Sequence, residues 1–85
     1  MAHINRAMVD RVVSIIEEKA KNTQWTDALH NTHAYKETMM ILAKDDEDIT
    51  YVDKEMLGLH LELLSICQGL NYYQVLCKAG QELKG

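Results

Sequence analysis

The chain has 85 residues, of which 47% are apolar, and a formal net charge of −4. This length allows one domain, residues 1–85, and the negative charge argues against nucleic-acid binding, which depends on Lys and Arg contacts to phosphates. No stretch approaches the roughly 20 apolar residues of a membrane span and the N-terminus has no signal-peptide pattern, so we expect a cytoplasmic protein that makes no membrane contact.

The first predicted element is an amphipathic helix from Ile4 to about Asn22. Its apolar side chains recur with helical period and cover roughly half of the helix circumference. That arc is wider than one neighbouring helix requires, so we expect contacts with two neighbours or with a second subunit. The residues that we assign to a dimer interface here are Val12, Ile15 and Ile16.

A second helix is predicted after a short connection at 22–24, with Thr26 as its N-cap and Asp27 in its first turn. It ends near Lys44, because the acidic run that follows opposes the dipole at a helix C-terminus and suits the next N-terminus. We interpret that run either as a patch that meets a basic partner surface or as charge that keeps the protein in solution. The acidic patch is Asp45, Asp46, Glu47 and Asp48.

The stretch from Met56 to Leu70 is the only segment that is apolar on nearly every side, and the fold should be organised around it. Thr50 and Asp53 have the spacing of a capping box, which starts the helix at about Tyr51. Apolar side chains cover roughly 220° of this helix. We therefore expect several neighbours to bury it, and we expect the protein to dimerise through the first and central helices, which together present more apolar surface than a monomer can cover.

Three small residues lie almost in line on the remaining arc of this central helix: Gly58, Ser65 and Gly69. Glycine inside a helix costs about 1 kcal/mol relative to Ala, so we predict a compensating close helix crossing there, within the fold or in the dimer, and we assign Gly58 and Ser65 to the interface. A Gly58→Ala change should then be destabilising. His60 lies in the middle of the apolar arc, where we interpret it as a core or interface histidine, with a general base or pH-sensitive group as the alternative.

The apolar pattern changes phase after Leu70, which predicts a break at residues 69–71 and a fourth helix from Tyr72 to about Leu83. One long helix across 53–83 is the alternative. Adjacent tyrosines at a helix start are difficult to bury together. Tyr72 and Tyr73 are therefore candidate interface anchors.

His30, His33 and Glu37 lie on the polar side of the second helix and could in principle bind zinc. The H-E-x-x-H pattern is absent and no fourth ligand is evident, so we expect no metal, no cofactor and no catalytic residue. The two cysteines, Cys67 and Cys77, fall among apolar residues, and we interpret them as reduced core residues.

The sequence thus predicts an all-α protein, a small bundle of three to four helices completed by homodimerisation. We expect a non-enzymatic protein–protein interaction module, a small acidic helical regulator or inhibitor that acts by binding another protein, with phage-encoded regulators included in this class. One alternative is a helix-turn-helix type DNA-binding regulator. The other is a metal-binding hydrolase or sensor that uses His30, His33 and Glu37.

Overall fold

Five α-helices form the regular structure of residues 2–85, the range that the computed structural model describes, and this range contains no β-strand. A short 3₁₀ turn at Asp46–Asp48 lies between the third and fourth helices. The all-helical prediction is confirmed. The helices are α1 (Arg6–Asn22), α2 (Thr26–His30), α3 (His33–Leu42), α4 (Tyr51–Cys67) and α5 (Tyr72–Lys84).

The helix count differs from the predicted three to four because the expected second helix is broken at Thr32. The Thr32 backbone is extended, and its side-chain oxygen accepts a 3.2 Å hydrogen bond from the Tyr35 amide as the N-cap of α3. The same hydroxyl donates to the carbonyl of Leu29 at 2.8 Å. Thr side chains compete in this way with the backbone bonds of a helix, so Thr32 ends one helix and begins the next.

The predicted boundaries of α4 and α5 are confirmed. Thr50 and Asp53 form a reciprocal capping box at the start of α4. Gly69 has a φ of +73°, the left-handed conformation that commonly ends a helix, and the side chain of Asn71 caps α5. The single long helix across 53–83 is therefore excluded.

The helices form a flattened body, with principal dimensions of 37 × 31 × 16 Å. α1 packs mainly against α5, and α3 packs mainly against α4. Buried aliphatic side chains between these pairs form the core, to which α1 contributes Val12, Ile15 and Ile16. None of the helices in the described range is long and apolar enough to cross a membrane.

The segment before α1 fastens the start of α4 to the rest of the fold. The Ala2 amide donates a 2.8 Å hydrogen bond to the carbonyl of Ile49, and both residues are buried. Ile4 is buried as well. The observed α1 starts at Arg6 rather than Ile4 because Asn5 is its N-cap and accepts a hydrogen bond from the Met8 amide.

Candidate functional site

Helix α4 has two apolar faces, and only one of them is covered by the chain. The covered face carries Leu57, Leu61 and Leu64, which belong to the core. At about 100° per residue, the second apolar face is centred well over a quarter turn away from the first. The remaining helices leave that second face open.

The uncovered face is a row of five apolar side chains, which we call the apolar seam. Their exposed fractions run from 40% for Met56 to 68% for Val52. Successive members are four, three, four and three residues apart, the spacing of apolar positions in a coiled-coil heptad. The members of the seam are Val52, Met56, Leu59, Leu63 and Ile66.

The seam corrects the expectation that α4 is buried on most sides. The sequence predicts the width of the apolar arc and gives it to several neighbouring helices and to a second subunit, but it does not say which part of the arc faces which. A chain of this size supplies neighbours for only one side of α4. Single exposed apolar residues are common, whereas a continuous row of them indicates an interaction surface.

A groove of about 700 Å³ runs along one edge of the seam, between α4 and α5. We call it the α4–α5 groove. It shares Leu59 with the seam and is otherwise lined by charged and aromatic side chains and one glycine. The lining residues are Tyr51, Lys54, Glu55, Gly58, Leu59, Glu62 and Tyr72.

Gly58 opens this groove, and a close crossing at Gly58 by another helix of the same chain is wrong. A Cβ placed on Gly58 would meet no atom within 4 Å outside its own helix. The other two small residues have separate roles. Ser65 is fully buried and donates to the carbonyl of Leu61 at 2.8 Å, and Gly69 ends α4.

The α4–α5 groove is lined by two carboxylates, Glu55 and Glu62, and by one ammonium group, that of Lys54, so its net charge is negative. Neither Glu55 nor Glu62 forms a salt bridge with another side chain among residues 2–85. Burial, and next the negative charge of Glu62, raise the pKa of Tyr72 above its ordinary value. The Glu62 carboxylate is therefore close enough to the Tyr72 hydroxyl to oppose its ionisation.

The structure does not bring His30, His33 and Glu37 together as a metal site. The imidazole of His30 lies 3.6 Å from the carboxylate of Glu17 on α1, while His33 lies 3.9 Å from Glu37. In the described range, no group of three or more His, Cys, Asp or Glu side chains could hold a metal ion.

Glu17 instead lies beside a tyrosine as well as a histidine. The Tyr35 hydroxyl donates to Glu17 at 3.5 Å, and the Tyr35 and His30 rings are 4.8 Å apart. Burial, then the charge of Glu17, raise the pKa of Tyr35. This cluster joins α1, α2 and α3, and we interpret it as structural.

Of the remaining predicted site residues, His60 is buried, and its ring lies nearly perpendicular to the His33 ring at a centroid distance of 6.1 Å. Tyr73 is exposed and Tyr72 is partly buried. Both Cys67 and Cys77 are exposed, so their interpretation as core residues is wrong.

The acidic patch is exposed throughout and lies between α3 and α4. Asp46 is engaged by Arg6 at 3.0 Å. The acidic patch thus contributes an ion pair to the fold, between Asp46 and Arg6, as well as surface charge.

No family model, no curated protein and no solved structure matches this chain.

Proposed function

We propose that this protein is a protein-binding module and that the apolar seam of α4 is its binding surface. The observation that carries the proposal is the heptad spacing of five exposed apolar side chains on one helix face. An isolated exposed leucine needs no explanation, whereas a straight apolar row is what a second helix covers.

The magnitudes support a binding surface that needs contacts beyond the seam. Covering the exposed parts of five large apolar side chains contributes about 4 to 8 kcal/mol, taking about 1.5 to 3 kcal/mol for a fully buried side chain. Association itself costs about 4 to 15 kcal/mol. The free energy gained by covering the seam is therefore comparable to the cost of association, and contacts beside the seam decide whether a partner binds.

The occupant that fits this surface is an amphipathic helix. Apolar side chains of such a helix, spaced at three and four residues, interlock with a facing row of the same spacing. A small acidic protein that captures a helix of another protein acts as a regulator or inhibitor and needs no catalytic residue. The absence of enzymatic activity stays a prediction, as does the cytoplasmic location.

Homodimerisation also stays a prediction, but of the two helices predicted to form its interface only α4 keeps a row of exposed large apolar side chains. Val12, Ile15 and Ile16 are buried inside one chain, as are His60 and Ser65. A second copy would therefore bind through the seam of α4 rather than through α1. Sedimentation equilibrium at micromolar concentration tests this, and a monomer would contradict the dimer without contradicting the binding of another protein.

The proposed function is tested by affinity capture from the source cell with three forms of the protein. The wild type is compared with Leu59→Glu/Leu63→Glu, which places two charges in the seam. The control is Trp25→Glu, because Trp25 is also a large exposed apolar residue but lies between α1 and α2. Quantitative mass spectrometry measures the captured proteins.

We expect a partner that is captured by the wild type and by Trp25→Glu and lost with the double seam variant. Circular dichroism checks that all three forms are folded. Equal capture by the wild type and the double seam variant would contradict the assignment of the binding surface to α4.

A further inference from the structure

We infer that the helix covering the seam carries basic side chains one heptad apart, and that Glu55 and Glu62 of the α4–α5 groove receive them. This inference rests on the proposed function and adds the chemistry of the partner. The two carboxylates flank the seam on one side, and neither is paired with a cation among residues 2–85.

The geometry of α4 sets the spacing of the basic side chains. Glu55 and Glu62 are seven residues apart, so they lie on the same side of the helix, about 10 Å apart along its axis. Gly58 and Leu59 lie between them. The apolar positions of a partner helix that follows the seam repeat at the same interval of seven residues. Two Lys or Arg side chains at the same position of successive heptads can therefore reach the two carboxylates, one each.

The aromatic lining favours the same chemistry. Tyr51 and Tyr72 line the groove with the two carboxylates. A guanidinium or ammonium group is attracted by the face of an aromatic ring, and Arg also stacks on such a ring. The open space over Gly58 leaves room for a long side chain to enter.

Charge also distinguishes this partner from a second copy of the chain. In an antiparallel pair of α4 helices centred on Leu59, Glu55 of one chain lies beside Glu62 of the other, which is repulsive. In a parallel pair, these glutamates face the positions of His60 and Cys67, and neither position supplies a Lys or Arg. A basic helix provides the opposite charge at both sites.

The test uses two synthetic peptides that differ only in charge. Both are amphipathic helices with leucine at the seam-facing positions of three heptads. One has arginine at the flanking positions on both sides of the seam, which covers both orientations, and the other has glutamine there. Fluorescence anisotropy measures the dissociation constant of each peptide at low and high salt.

We expect the arginine peptide to bind about 2 to 30 times more tightly than the glutamine peptide, the range for two exposed ion pairs. High salt should reduce this preference. Glu55→Gln/Glu62→Gln should remove most of it. The control Glu18→Gln/Glu47→Gln removes the same net charge at exposed residues outside the groove and should retain the preference.

Two further variants and one spectroscopic measurement locate the bound side chains. Gly58→Leu fills the groove and should weaken binding of the arginine peptide more than that of the glutamine peptide. Leu59→Glu should weaken binding of both peptides. A cation bound beside Glu62 should also lower the pKa of Tyr72, which nuclear magnetic resonance can follow on a labelled tyrosine ring.

The outcomes separate this inference from the proposed function. Equal binding of the two peptides, or a preference that survives Glu55→Gln/Glu62→Gln, would overturn the inference and leave the seam as a binding surface. Failure of both peptides to bind would count against the proposed function and the inference together. A chain that self-associates through the seam and excludes both peptides would identify the occupant as a second copy and overturn the inference.

Discussion

The guanidinium of Arg6 donates a 2.8 Å hydrogen bond to the main-chain carbonyl of Leu42, the last residue of α3. A second donor of the same group reaches the carbonyl of Lys44 at 2.8 Å, and a third reaches Asp46 at 3.0 Å. Carbonyl groups at a helix C-terminus have no partner within the helix. Arg6 satisfies two carbonyls there and ties α1 to the segment that leads into α4.

Replacing Arg6 should therefore destabilise the fold. We expect Arg6→Ala to lower the free energy of unfolding by about 1 to 3 kcal/mol, since hydrogen bonds to charged groups contribute about 1.5 to 3 kcal/mol and this side chain is partly exposed. Urea denaturation measures the change. Asp46→Asn is the matched variant and should cost less than about 1 kcal/mol, because it removes only an exposed ion pair. Equal losses would mean that the carbonyl contacts contribute little.

Gly58 and Gly69 should respond to alanine in opposite directions. Gly58→Ala should stabilise the fold by about 0.5 to 1 kcal/mol, because the site is helical and open and alanine restricts the unfolded chain. Gly69→Ala should destabilise it by about 1 to 2 kcal/mol, since an L-residue is strained at a φ of +73°. Thermal denaturation of the two variants compares them directly. A destabilising Gly58→Ala change would restore the close crossing that the sequence predicted.

The capping box of α4 should make stability depend on acidic pH. A hydrogen bond from Lys44, followed by one from the Thr50 amide, holds the pKa of Asp53 below its ordinary value of 3.8. A carboxyl group with a lowered pKa stabilises the fold above pH 3.8, and the effect is lost as the pH falls through the lower, folded-state value. Asp53→Asn should therefore be less stable than the wild type at pH 7, with the difference shrinking below pH 3.8.

Chemical denaturation across this pH range measures the difference for Asp53→Asn. Glu18→Gln is the control, because its carboxylate is exposed and forms no ion pair with the described part of the chain. A difference between Asp53→Asn and the wild type that stays constant down to pH 2 would contradict the assigned role of the Lys44 and Asp53 pair, whose atoms are 2.7 Å apart.

Adjacent leucines of α4 should separate binding from folding. Leu64 is buried in the core, so Leu64→Ala should cost about 2 to 5 kcal/mol. Leu63 is half exposed, and Leu63→Ala should change stability by less than about 1 kcal/mol. Urea denaturation of the two variants tests this contrast. Similar large losses for both would place the seam inside the core.

The sequence predicted the elements whose ends carry strong local signals. The capping box at Thr50 and Asp53, the left-handed Gly69 and the Asn71 cap set the limits of α4 and α5, and all three could be recognised without a structure. Thr32 was missed because a single threonine within an otherwise helical pattern is compatible with either state. The hydrogen bonds that the Thr32 hydroxyl forms with Leu29 and Tyr35 decide that the helix ends there instead of continuing.

The candidate site could be predicted only in part. The heptad spacing from Val52 to Ile66 is present in the sequence, but it was merged with the buried arc of Leu57, Leu61 and Leu64 into one wide apolar surface. Which part of the apolar surface of α4 is covered depends on where α1, α3 and α5 pack, and their positions depend on the whole fold. Gly58 was assigned to a helix crossing for the same reason, since a glycine beside a neighbour and one beside an open groove have identical local patterns.

Site-specific photo-crosslinking in the source cell tests whether another protein binds the apolar seam of α4. A photoreactive amino acid is placed at Leu63 in the seam or, as the control, at Trp25. We expect a discrete covalent adduct with another protein from position 63, none from position 25, and loss of the adduct when Leu59→Glu is added. No adduct from position 63, or the same adducts from both positions, would contradict the claim that the apolar seam of α4 is a protein-binding surface.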